Sequence, residues 1–120
     1  MIPSLTQFII AILLLIAVDL PWLLTVGQYA LKMTERIQGS PAVMQFGPAL
    51  VVYVALAYLV YQVKTVGEAA LLGAATYAVY DFTSAAILKK YEIGVAIADT
   101  LWGGALFAIV FTLLKRFGVF

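Results

Sequence analysis

Leu5–Val26 reads LTQFIIAILLLIAVDLPWLLTV, a run in which Asp19 is the only charged residue. A helix that crosses a bilayer needs about 20 mostly apolar residues, so this stretch reads as a membrane span. A secretory signal would carry a basic start and a small-x-small cleavage site. Residues 1–4, MIPS, offer no basic side chain, and the apolar run is long. The stretch is therefore read as a retained first span.

Three further runs have the same character: about Met44–Val63, Val66–Leu88 and Ile93–Leu114. Their apolarity is continuous and lacks a period-two alternation, which favours helices over a barrel. The whole chain agrees. Of its 120 residues 65% are hydrophobic and 11% charged, with mean hydropathy +1.08. A soluble domain is about one-quarter charged, and a chain this short could not bury so much apolar surface on itself. The expected fold is all-α, a single-domain integral membrane four-helix bundle over residues 1–120. Short connections should make sequential neighbours antiparallel, with both termini on one side.

The composition also excludes chemistry. The net charge of +1 leaves no footprint for nucleic acid. With no Cys and no His, the chain lacks disulfides, thiol chemistry, imidazole bases and the usual zinc or haem ligands. Any metal would be a hard cation held by oxygen. No HExxH, GxSxG or Walker pattern occurs, so no catalytic motif is found. A paired-aspartate membrane protease would need more spans and a GxGD sequence, which is absent. No cofactor is expected.

The connections carry most of the charge. In the first, residues 27–45, QYALKMTERIQ mixes Leu31 and Ile37 with Lys32, Glu35 and Arg36. It reads equally as a short interfacial helix or as an extension of the first span, ended by Gly39-Ser40-Pro41. The second connection turns at Lys64–Glu68, and the third is Lys89-Lys90-Tyr91-Glu92. Glu35, Glu68 and Glu92 read as solvated loop charges. Orientation follows loop Lys and Arg. Lys32, Arg36, Lys89 and Lys90 lie on one side; Lys64, Lys115, Arg116 and the terminal amine lie on the other. Only the clustered Lys89 and Lys90 tip this even count towards cytoplasmic first and third connections.

Three carboxylates sit inside the apolar runs: Asp19, Asp81 and Asp99. Such groups are costly in hydrocarbon and mark sites facing protein, water or a bound partner. Asp19 and Asp81 each precede a span exit by seven residues, and Asp99 follows a span entry by six. At 1.5 Å per residue all three lie about 10 Å below the same membrane face. Helical spacing groups Asp19 with Trp22 and Leu23, and Asp99 with Trp102 and Gly103. Gly73, Tyr77, Tyr80, Asp81 and Ser84 form one stripe with Thr83 beside it, and Tyr53 comes to similar depth. Pro21 and Pro48 lie near enough to open backbone carbonyls. The candidate ion or ligand site is thus Asp19, Asp81, Asp99, Tyr53, Tyr77, Tyr80, Thr83 and Ser84, walled by Trp22 and Trp102.

No intramembrane cation balances these acids. Either the carboxyls hold protons and bridge helices, or a cation is bound, or Lys89 or Lys90 snorkels back to Asp81. Polar glue between helices is the structural alternative. Tyr58 and Tyr61 read as an aromatic belt at the other face, and Gly67, Gly73, Gly103 and Gly104 as places of close helix approach.

The run Tyr77-x-x-Tyr80-Asp81-x-Thr83-Ser84 with Leu88-Lys89, together with Asp19-x-x-Trp22-Leu23 and Asp99-x-x-Trp102-Gly103, resembles a known family. It is that of the predicted four-pass membrane proteins of domain-of-unknown-function number twenty-one seventy-seven, with bacterial and large-DNA-virus members. The resemblance extends over nearly the whole chain, Pro48 and Tyr53 included. Ser84 stands where the family pattern has Asn, and a hydroxyl has shorter reach and lacks the amide donor pair. Ile37–Pro41 is similar to the viral members. The resemblance implies the four-span fold and the candidate residues, and it carries no activity.

The expected function is a polar site for a cation, a proton or a small cationic solute, with Asp81 and Asp99 carrying the charge and Asp19 as third ligand. A transport path would need a homo-oligomer, because one four-helix bundle has little room for a hydrated pore. The alternative is a structural subunit of a larger assembly, such as a viral inner membrane or a membrane complex, without transport activity. A lipid-modifying enzyme is a third reading.

Overall fold

A computed structural model describes residues 1–120 as five helices and no strands: α1 (Leu5–Leu23), α2 (Val26–Gln38), α3 (Phe46–Val60), α4 (Val66–Ile87) and α5 (Ile93–Arg116). Local chemistry sets the boundaries. Ser4 starts α1 with a capping box, its Oγ accepting from the Gln7 amide at 3.2 Å while Gln7 Oε1 accepts from the Ser4 amide at 2.8 Å. Thr65 and Glu68 repeat the arrangement at the start of α4. Such boxes satisfy amides that a helix start would otherwise orphan.

The end of α1 decides the first connection. Pro21 has no amide hydrogen, and the Thr25 hydroxyl donates to the Pro21 carbonyl at 2.7 Å. That carbonyl would accept the Thr25 amide if the helix continued. The Gln28 side chain donates to the Leu23 carbonyl at 3.1 Å. The chain therefore breaks at Leu24-Thr25, and α2 is a separate helix rather than an extension of the first span. Gly39, at φ 73°, closes α2 in the left-handed conformation.

Two helices, α1 and α5, are long and apolar enough to cross a membrane. The second apolar run is shorter than its sequence suggests: α3 has 15 residues. Pro48 lies in its first turn, where no amide hydrogen is needed, so it opens no mid-helix carbonyl. α4 has the length, with 22 residues, but Glu68, Thr76, Asp81, Thr83 and Ser84 dilute its apolarity.

The core joins Ala11 and Leu15 of α1, Leu56, Ala57 and Val60 of α3, Ala69 of α4, and Leu106, Phe107, Val110, Phe111 and Leu114 of α5. Large apolar side chains such as Leu13, Val51, Leu71, Val79 and Leu101 point outward. Tyr61 is also core. It is 2% exposed, donates to the Val119 carbonyl at 3.0 Å and stacks on Phe120. Its role is therefore packing, unlike that of Tyr58, which is exposed. The same end gathers Met1, Gln62, Gln7 and Val119 through hydrogen bonds, so both termini do lie together. The opposite end holds α2 and the α4–α5 connection.

The most intimate packing is between α4 and α5. A Cβ on Gly73 would collide with the Gly103 carbonyl and lie 2.7 Å from Phe107 Cβ. One on Gly103 would overlap the Tyr77 ring, and one on Gly104 would come within 3.0 Å of the Ala70 carbonyl. These glycines allow close approach as their spacing suggests; Gly67 does not, since little surrounds it. Gly73→Ala and Gly103→Ala should each destabilise the protein by about 1–3 kcal/mol through overpacking. Gly94→Ala, with nothing within 4 Å, should be neutral. Thermal unfolding in detergent measures all three.

Candidate functional site

The glycine seam determines what α4 and α5 present to one another. Because Gly73 meets Gly103 in an antiparallel pair, Tyr77 lies on Gly103 and Asp81 falls beside the start of α5, near Asp99. Asp81 is 1% exposed, and Asp99 is half-buried.

Asp19 belongs to a different arrangement. It is 5% exposed and each of its oxygens has a donor. Tyr53 of α3 donates its hydroxyl to Oδ2 at 2.7 Å, and Trp102 of α5 donates Nε1 to Oδ1 at 2.7 Å. Trp22, one turn beyond Asp19, stacks on Trp102 with ring centroids 5.1 Å apart and planes 1° from parallel. One carboxylate thus ties α1, α3 and α5 together, and the indole pair covers it.

Asp81 is unevenly served. Tyr91, in the connection before α5, donates its hydroxyl to Oδ1 at 2.7 Å. Oδ2 is buried with no hydrogen-bond partner. The Asp99 carboxyl faces Asp81, with Trp22 beside it and Asp19 farther off. The Thr100 hydroxyl, next in sequence, is likewise buried without a partner. No three acidic side chains gather closely enough to hold a metal ion. Both Asp19 oxygens instead accept from an indole and a phenol.

The remaining candidates divide by helix face. Tyr77 sits between the two carboxyl groupings, within electrostatic reach of all three aspartates. Tyr80 is 61% exposed yet remains within reach of Asp81 and Asp99. Ser84 returns its hydroxyl to the Tyr80 carbonyl at 2.9 Å. Thr83 faces outward along a shallow groove with Val79, Phe82 and Ile87. Neither Lys89 nor Lys90 reaches Asp81, because the structure contains one ion pair, Arg36–Glu92.

Sequence reasoning missed Tyr91 and Thr100. Tyr91 is ten residues from Asp81 and off its helix, so only the fold of the connection joins them. Thr100 carried a signal, since it shares the seam face of α5 with Ala96 and Gly103 by i+4 and i+3 spacing. The three loop glutamates were also underread. Glu35 accepts from the Ala42 amide at 2.8 Å, Glu68 from the Lys64 and Thr65 amides, and Glu92 holds three groups of α2.

A family model described as "Predicted membrane protein (DUF2177)" matches residues 4–114. The chain belongs to this family. Every residue of the candidate site lies inside the matched segment, and the family's description places such a protein in a lipid bilayer. No curated protein and no solved structure matches the chain.

Tyr53→Phe should leave Asp19 Oδ2 without its donor and cost about 1–3 kcal/mol, read as a lower unfolding temperature in detergent; Tyr58→Phe should have no such effect. Burial first, and the Asp81 carboxylate second, push the Tyr91 phenol above the usual tyrosine range. An unfolded phenol ionises at about pH 10. The stability Tyr91 supplies is therefore complete below that pH and falls as pH rises beyond it. Asp81→Asn should shift tyrosinate absorbance to lower pH.

Proposed function

We propose that this is a four-pass membrane protein in which Asp81 and Asp99 form a binding site for a proton or a small monovalent cation. α1, α3, α4 and α5 would be the crossings. Support for an even number comes from the shared end of the two termini, and the less apolar α4 is the helix that carries the polar stripe. The observation behind the ion reading is the buried, unpartnered Oδ2 of Asp81 beside a second carboxyl. Two acids facing each other in a low-dielectric setting cannot both stay charged and unaccompanied. A proton held between them, or a small cation, satisfies the free oxygen.

Asp19 favours a second, structural role within the same protein. Its carboxylate already accepts from two neutral donors, so it needs no ligand and serves as a latch between helices. Interhelical bonds of this kind hold membrane bundles together.

A hydrophobic carbodiimide tests the division, because it adds to a protonated carboxyl and leaves a stable acylurea that mass spectrometry locates. In protein reconstituted in vesicles, Asp81 or Asp99 should be modified and Asp19 spared. Excess sodium or potassium should slow the reaction if a cation competes with the proton. Asp81→Asn should lower labelling at least tenfold and abolish any proton or alkali-cation flux in proteoliposomes. Labelling of Asp19 in preference to the pair, or no labelling of Asp81 and Asp99 even after Tyr91→Phe, would overturn the reading.

A further inference from the structure

The residue that touches the carboxyl pair from outside the helices is Tyr91, and its neighbour Glu92 is held by α2. The backbone at Glu92 is extended, with φ −83° and ψ 125°. In extended chain consecutive side chains point to opposite sides. Tyr91 accordingly points inward to Asp81 Oδ1, 2.7 Å away. Glu92 points the other way, to α2. There Tyr29 donates its hydroxyl to Oε1 at 2.7 Å, and Arg36 pairs with Oε2 at 2.7 Å. The Glu92 amide donates to Met33 Sδ at 3.3 Å, and Met33 is 1% exposed. All three anchors come from successive turns of one helix.

That helix lies at the edge of the molecule. It is amphipathic, with Tyr29, Leu31, Lys32 and Arg36 exposed and Met33 facing inward. A break at Leu24-Thr25 precedes it, and left-handed Gly39 follows it. The connection it grips, residues 88–92, has only a turn of its own, Tyr91 amide to Leu88 carbonyl at 3.1 Å. Gly94 just beyond has open space around it. A segment with so little internal support opens readily once its outside anchors go.

We infer that α2 is a strap that keeps Tyr91 closed over the Asp81–Asp99 pair, so that displacement of α2 opens the pair to the membrane surface. This rests on the reading of the pair as a proton or cation site. Glu92 converts movement of α2 into movement of Tyr91, because losing one helix removes all three anchors together. The strap changes access to the pair and leaves the pair itself intact.

The experiment uses the full chain in vesicles and follows the rate at which the same carbodiimide modifies Asp81 and Asp99. Glu92→Arg and Arg36→Glu should each speed labelling about fivefold, the factor that an ion pair of this exposure supplies. The double charge swap should return the rate towards that of the parent protein, which mere damage to the fold would not do. Tyr91→Phe should label fast whether or not Arg36 is replaced, since the lid is already loose. Equal rates in the parent, the single variants and Tyr91→Phe would overturn the strap while leaving the carboxyl site standing. Absence of labelling in every variant would overturn the site and the strap with it.

Discussion

The backbone contact between α4 and α5 at Gly73 and Gly103 is the constraint from which the interior follows. With a side chain at either position the two helices would separate, since each glycine already meets the other's carbonyl oxygen. Lipid gives apolar helices no reason to associate with one another rather than with acyl chains, so close van der Waals approach must hold them. That approach sets the register of the pair. Register in turn places Asp81 opposite the first turns of α5, seats Tyr77 on Gly103, and leaves Trp102 free to reach across to Asp19. The polar interior is a consequence of small residues one turn and two turns away.

Within that interior, similar carboxylates have dissimilar circumstances. Asp19 is saturated by neutral donors from two other helices, the condition under which a buried acid becomes a structural tie. Asp81 has one donor and one free oxygen. Burying an acceptor without a partner is expensive, and sequences rarely keep such a group without use for it. The contrast between the two aspartates therefore carries more functional meaning than their shared depth.

Much of this could be read from the residues, and the limits have a physical cause. The apolar runs announced the helices, but i, i+3 spacing groups Asp19 with Trp22 and Asp99 with Trp102, whereas the Trp102 indole donates to Asp19 and Trp22 lies beside Asp99. Equal depth brought Tyr53 towards Asp19. Rotation about the helix axis was the missing quantity. A helix bathed in lipid is apolar nearly all round, so no polar face betrays which side meets a neighbour. Thr83 was thus grouped with Asp81 although it faces outward, and Tyr61 was read as a surface aromatic although it is buried against Phe120. The ends of elements depended on chemistry that hydropathy does not register: a missing proline amide, a threonine hydroxyl, a glycine with positive φ. Tyr91 and Glu92 escaped for a related reason. They act through side chains that alternate along four residues of loop, where neither helical nor strand periodicity announces a partner.

The brevity of α3 reaches beyond the protein itself. Its 15 residues make a rod of about 22 Å, against a hydrocarbon layer of roughly 30 Å. In the proposed four-pass arrangement, acyl chains next to α3 would have to shorten or the helix ends draw headgroups inward, at a cost of a fraction of a kcal/mol per Å. The exposed Val43, Met44 and Phe46 at its start soften that step without removing it. In that arrangement one flank of the molecule would pinch the surrounding bilayer and favour residence in thin membranes.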